Sequence, residues 1–129
     1  MFGRSTEVQS MARALAAHAA ARQGVIAHNV ANADTPGFRA AEIESFADVY
    51  TGQSQMPLRA TRAGHIAGGA RQLEFGPHAA PGETSPNGNS VSLEREMMQA
   101  ADARHQHELA LAITRSLGSV IRTSLRGAR

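Results

Sequence analysis

The chain contains no cysteine and no tryptophan. Without cysteine there can be no disulfide framework, no thiol nucleophile and no cysteine-ligated zinc, although the absence fixes no compartment. Aromatic residues make up only 4% of the sequence, with Phe2, Phe38, Phe46, Phe75 and Tyr50 as the whole set. A core must therefore be built from Ala, Leu, Ile, Val and Met, a composition that suits helices packed closely along their length. Lysine is missing too: all 13 basic residues are arginine, scattered from Arg4 to Arg129 without a basic block. Nucleic-acid binding needs a concentrated patch, so a formal charge of +2 spread in this way argues against it. Long apolar runs are also lacking. Arg13, His18, Arg22 and Gln23 interrupt the N-terminal region, and no later segment is long and apolar enough to span a bilayer. Sec-type secretion is not expected, which leaves open both a cytoplasmic home and export by a route that reads another kind of signal.

At 129 residues the chain has the length of one ordinary domain, so 1–129 is expected to form a single unit. Much of its 42% hydrophobic share is alanine, which favours helix but buries little area per residue, at roughly 25 cal/mol per Å². An isolated monomer is expected to be marginally stable and poorly ordered.

Apolar and small residues recur at three- and four-residue spacings from Val8 through Met11, Leu15 and Ile26 to Val30, which predicts an amphipathic helix over 6–33. Its stripe is narrow, like a coiled-coil seam, and Gly24 interrupts it at a cost of about 1 kcal/mol relative to alanine. A close helix neighbour would explain that glycine. The helix should stop at Thr35-Pro36, because proline lacks the amide hydrogen and forces the preceding residue out of helical geometry. Thr35-Pro36-Gly37-Phe38 reads as a type II turn, with proline presetting φ and glycine accepting a positive φ.

The middle, 34–91, is predicted to be mainly irregular or extended. Glu42 to Tyr50 could form a short helix and Arg71 to Phe75 a short strand, while Gly, Pro, Ser and Gln dominate elsewhere. A loop of that length argues for a segment ordered by neighbours. A second long helix should open at Ser92 as N-cap, with Glu94 and Glu96 at the positive end of its dipole, and run over 92–126. Met97, Leu109, Ile113, Leu117 and Val120 mark its stripe, and its length is on the order of 50 Å. The fold class expected is mainly α: long terminal helices packed as an antiparallel, coiled-coil-like pair with an irregular extended middle. Val8, Met11, Leu15, Ile26, Met97, Leu109, Ile113, Leu117 and Val120 are the expected helix-packing residues.

The run Asn29-Val30-Ala31-Asn32-Ala33-Asp34-Thr35-Pro36-Gly37-Phe38 resembles the signature of the flagellar rod and hook protein family, Asn-(Ile/Leu/Val)-Ala-Asn-x-x-Thr-Pro-Gly-(Tyr/Phe), and every motif position matches. A plain helix stop accounts for Thr35 to Gly37 but not for two asparagines three residues apart. Residues 40–46 and 87–97 are similar to segments of the proximal-rod members, with Ser92 where aspartate is common. Through Asn29, Ala31, Asn32, Thr35, Pro36, Gly37 and Phe38, the resemblance implies a structural subunit of the basal body rod rather than an enzyme. It also implies export by the flagellar type III apparatus, assembly in the periplasm, helical packing of the terminal helices and help in transmitting torque. The implied neighbours are copies of itself, other rod proteins of the FlgC type, the adapter FliE, the membrane-ring protein FliF and the export gate. On the residues alone, the signature's role is mechanical: Asn29 and Asn32 can bond backbone at the helix end, Pro36 and Gly37 set the turn, and Phe38 anchors the outgoing chain.

Two rival classes remain in view, a cytoplasmic coiled-coil adaptor and an arginine-dependent nucleic-acid binder, which steep salt-sensitive DNA binding would reveal. A cytoplasmic coiled-coil adaptor would share the helices but gives the asparagines no reason. A metal site is suggested only by His105-Gln106-His107-Glu108, and on a helix those histidines point about 200° apart, so one ion cannot join them. No Ser-His-Asp arrangement, phosphate loop or carboxylate pair stands out, and no cofactor is implied.

Overall fold

The computed structural model describes residues 2–54 and 74–127. Helix α1 spans Phe2–Ala31, strand β1 Ala41–Ile43, helix α2 Phe46–Ser54, strand β2 Pro77–Ala79 and helix α3 Leu93–Arg126. The dominant packing is α1 against α3. Arg22 on α1 meets Asp102 on α3 at 2.9 Å, and Asn29 meets Glu96 at 3.1 Å. Partner numbers fall along α3 as they rise along α1, so the helices are antiparallel.

The seam of this pair is made of small residues. Ala12, Ala19 and Ile26 are buried on α1, and Ala103 and Ala110 on α3, in both cases seven residues apart, the spacing of a coiled-coil position. Alanine at the contact lets two helix backbones approach closely and leaves larger flanking side chains outside. This corrects the expected packing stripe. Within the chain only Ile26 is buried, while Leu15, Ile113 and Leu117 are half-buried. Val8, Met11, Met97, Leu109 and Val120 are exposed.

Each boundary has a local cause. Ser92 caps α3, its hydroxyl accepting from the Arg95 amide at 3.5 Å, and Glu94 and Glu96 lie in the first turn. At the other end the Gly127 amide donates to the Thr123 carbonyl. Glu42 and Ile43 are strand rather than the start of the second helix. They pair antiparallel with His78 and Pro77, and α2 begins only at Phe46, after Ser45 offers its hydroxyl to the Asp48 amide. The strand expected at Arg71 to Phe75 lies largely outside the described residues. The strand that forms just beyond it is β2, Pro77–Ala79.

Gly24 also departs from expectation. Beyond its own helix turn, nothing among the described residues lies within 4 Å of the Cβ it would carry, so no helix neighbour among them requires it. Gly24→Ala is therefore expected to raise helicity and to stabilise the isolated chain by about 1 kcal/mol, read from the urea midpoint. An unchanged or lower midpoint would show that the glycine has a role inside the monomer.

Candidate functional site

The signature lies where α1 ends, and the structure brings a second segment, 85–96, onto it. Asn29 is fully buried and faces inward. Its Nδ2 donates to the Ala41 carbonyl at 2.7 Å and to Glu96 Oε1 at 3.1 Å, and its Oδ1 accepts from the Ala41 amide at 3.1 Å. One amide thus satisfies the backbone of β1 on the side that β2 does not cover. At the same time it ties β1 to the start of α3. Asn32, three residues on, faces the helix end: its Nδ2 donates to the His28 carbonyl at 2.9 Å, and its Oδ1 accepts from Thr35 Oγ1 at 3.3 Å. The two asparagines therefore do different work, one fixing tertiary structure and the other closing the helix.

The turn that follows is type II. Gly37 has φ +73°, and the Phe38 amide donates to the Thr35 carbonyl at 3.3 Å. Ala31, Thr35, Pro36 and Gly37 are exposed, whereas Phe38 is half-buried with its ring edge-on to His28 at 5.5 Å.

The turn is held by a loop to which the sequence reading gave no role. Asn89 is 2% exposed, and its Nδ2 lies within 2.9 Å of the carbonyls of Asn32, Ala33 and Thr35. Its Oδ1 accepts from the Val91 amide at 2.7 Å. Carbonyls freed where a helix stops need donors, and this one side chain supplies them from 54 to 57 residues further along the chain. The Gly37 amide donates to the Asn87 carbonyl, the Ser90 amide to the Phe38 carbonyl, and the Ala40 amide to Ser90 Oγ. Gly88, with φ +83°, passes so close to Gly37 that a Cβ there would stand 3.2 Å from the Gly37 Cα. Arg95 completes the clasp by bonding Glu42 at 3.1 Å and the Pro81 carbonyl. In Asn87-Gly88-Asn89-Ser90 the residues themselves signal only a turn, and the family likeness of 87–97 names no contact, so neither says what the loop grips.

A second cluster pins the start of the middle segment to α1. His18 is fully buried, with Phe46 and Phe75 edge-on to its ring at 5.6 and 4.9 Å. Its Nε2 lies 2.7 Å from the Glu44 carbonyl oxygen and so carries the proton, while Nδ1 is buried with no hydrogen-bond partner among the described residues. Desolvation, with a smaller effect from the Arg22 cation and against the pull of the Glu44 carbonyl, lowers its pKa below the ordinary 6.5. The unfolded chain then binds a proton at higher pH than the folded one. The contribution of His18 is complete above 6.5 and is lost as pH falls through the lower folded value. Urea midpoints are expected to drop on acidification below 6.5 in the wild type and to drop less in His18→Phe; equal slopes would remove His18 as the cause. The neighbouring pair His105 and His107 is exposed and half-buried, respectively. Among the described residues no helix is long and apolar enough to cross a membrane.

Comparison with known proteins meets this geometry at the same place. The family described as Flagella basal body rod protein matches residues 10–39, all of α1 but its first eight residues together with the signature and turn. The flagellar basal body rod protein FlgB of Escherichia coli K12 is 32% identical over 105 residues, covering 72% of this chain and 74% of its own length. The FlgB of Salmonella typhimurium is 30% identical over 115 residues, 80% of this chain and 79% of its own. The Proteus mirabilis FlgB reaches 36% over 90 residues, 63% of this chain and 66% of its own. With the signature locked at the junction of two long helices and this likeness running through most of the chain, the protein belongs to the FlgB family of flagellar basal body rod proteins.

Proposed function

We propose that the chain is a structural subunit of the proximal rod, exported by the flagellar type III apparatus and assembled in the periplasm through its terminal helices. It would there help to transmit torque and to link the membrane ring and export gate to the rod. Copies of itself, FlgC-type rod proteins, FliE, FliF and the export gate are the neighbours this reading expects. The observation that carries it is the contrast between a tightly bonded junction and an unfinished surface. Asn29, Asn89 and Glu96 are buried there in a polar network, yet Met97, Met98 and Leu125 remain 72%, 75% and 66% exposed. Large apolar side chains left in water at this level are completed by contacts between subunits. Val8, Met11, Leu109 and Val120 fall to the same role, as packing residues between copies rather than within one.

The alternative is a cytoplasmic coiled-coil adaptor, which shares the helix pair. Fractionation of cells expressing the tagged chain separates the two. Recovery outside the cytoplasm that depends on the flagellar export gate supports the rod reading, whereas strict retention in the cytoplasm of flagellated cells supports the adaptor.

A further inference from the structure

Asn87-Gly88 is the one place in the sequence where glycine follows asparagine. That order is the one most prone to lose the asparagine amide spontaneously, because the nitrogen that attacks the side chain belongs to a residue with no Cβ to obstruct it. Asn29, Asn32 and Asn89 are followed by Val30, Ala33 and Ser90, and Asn29 and Asn89 are buried besides. Asn87 is exposed, and its Oδ1 accepts from the Asn89 amide at 3.0 Å. The side chain is therefore folded forward along the chain, toward the peptide group that can react with it.

In that reaction the Gly88 nitrogen, having lost its proton to water, bonds to the Asn87 Cγ; the bond from Cγ to Nδ2 breaks, and ammonia leaves after taking a proton from water. Water then opens the cyclic imide. Cleavage between Cγ and nitrogen gives aspartate, and cleavage between the main-chain carbonyl carbon and nitrogen gives isoaspartate. The net change consumes water and releases ammonia, and nothing is oxidised or reduced. Ring closure requires the peptide group between residues 87 and 88 to turn its face toward Cγ. In the closed clasp that group is held at both ends: its carbonyl accepts from the Gly37 amide at 3.0 Å, and its N–H donates to the Ser85 carbonyl at 2.8 Å. The second bond also keeps the proton on the nitrogen that must lose it. Turning the group breaks both bonds, and the close approach of Gly88 to Gly37 resists the turn while the clasp is shut.

We infer that Asn87-Gly88 is a spontaneous deamidation site gated by the clasp: shut onto the signature turn it is protected, and once open it ages to aspartate and isoaspartate. Isoaspartate inserts the side-chain methylene into the main chain and displaces the carbonyl that Gly37 bonds. A chain modified in this way cannot restore the same clasp.

The test is peptide mapping by liquid chromatography and mass spectrometry, which separates the asparagine, aspartate and isoaspartate forms of the arginine-bounded peptide 72–95. The purified full chain is incubated in mildly alkaline buffer with and without guanidinium chloride, beside Asn89→Ala and Ser90→Ala under the same conditions. Each protein's rate in denaturant is its own unprotected reference. The wild type is expected to react about ten-fold or more slowly in buffer than in denaturant, since both bonds must open first. Asn89→Ala, which releases the carbonyls of Asn32, Ala33 and Thr35, should lose most of that protection. Ser90→Ala, which removes only the acceptor of the Ala40 amide, should lose part of it. Circular dichroism reports whether each variant is folded; if Asn89→Ala is not, Ser90→Ala carries the comparison, and if neither is, the wild type in buffer and in denaturant decides. A wild type that reacts as fast in buffer as in denaturant would overturn the inference. So would folded variants as well protected as the wild type, or a denatured chain modified first at another asparagine.

Discussion

Asn89→Ala is expected to destabilise the chain by about 3–5 kcal/mol. The mutation strips a donor from the carbonyls of Asn32, Ala33 and Thr35 and an acceptor from the Val91 amide, all at a residue only 2% exposed. A buried group left without its partner costs about 1–3 kcal/mol; the Ala33 carbonyl and the Val91 amide lose theirs here, while the Asn32 and Thr35 carbonyls keep the amides of Thr35 and Phe38. Against a typical total of roughly 5–15 kcal/mol, such a loss would leave the chain close to unfolded. Urea denaturation followed by circular dichroism measures it. Asn89→Asp sharpens the result, since it keeps the acceptor for Val91 but turns a negative oxygen toward three carbonyl oxygens. It should be at least as damaging as alanine. A loss below about 1 kcal/mol in both variants would mean that the helix end is held by something other than this side chain.

Gly88→Ala should cost about 2–4 kcal/mol, and more than Gly37→Ala. Both glycines have positive φ, which an L side chain resists by about 1–2 kcal/mol. Of the two, only Gly88 would place the new methyl against backbone, the Gly37 Cα at 3.2 Å and its nitrogen at 3.4 Å, whereas among the described residues nothing beyond its chain neighbours lies within 4 Å of a Cβ at Gly37. The two turns would have to separate, and the bonds from Gly37 to Asn87 and from Ser90 to Phe38 would lengthen with them. Gly37→Val adds a branched side chain to the same unfavourable backbone and is expected to impair rod assembly, read as loss of motility in a complemented null strain. Equal stability losses for Gly37→Ala and Gly88→Ala would show that φ alone matters and that the close approach does not.

What the sequence disclosed was what local chemistry governs. The Ser92 cap and the end of α3 near Arg126 follow from capping and dipole rules, and the type II turn at Pro36-Gly37 follows from the φ preferences of those residues. The antiparallel helix pair was likewise readable from two long periodic segments. Its seam was not, because apolar periodicity weights the large residues, while the contact is made by Ala12, Ala19, Ala103 and Ala110, whose value lies in their smallness. Asn29 and Asn32 were recognisable as a pair without their roles being separable, since the partners of Asn29 lie at Ala41 and Glu96, one of them 67 residues away. For the same reason Asn89 carried no visible weight: nothing local distinguishes a turn asparagine in solvent from one that holds three carbonyls of a distant helix end. His18 shows the opposite case, a polar residue on a helix that lacks ligand-spaced neighbours in sequence, yet is enclosed by Phe46 and Phe75 once the chain folds back.

The most direct test of the rod assignment is mass spectrometry of intact hook–basal bodies isolated from the source organism and washed stringently. The account predicts that this chain stays with the rod at a constant ratio to the other rod proteins through the washes. Reproducible absence of the chain from otherwise complete rods would contradict it.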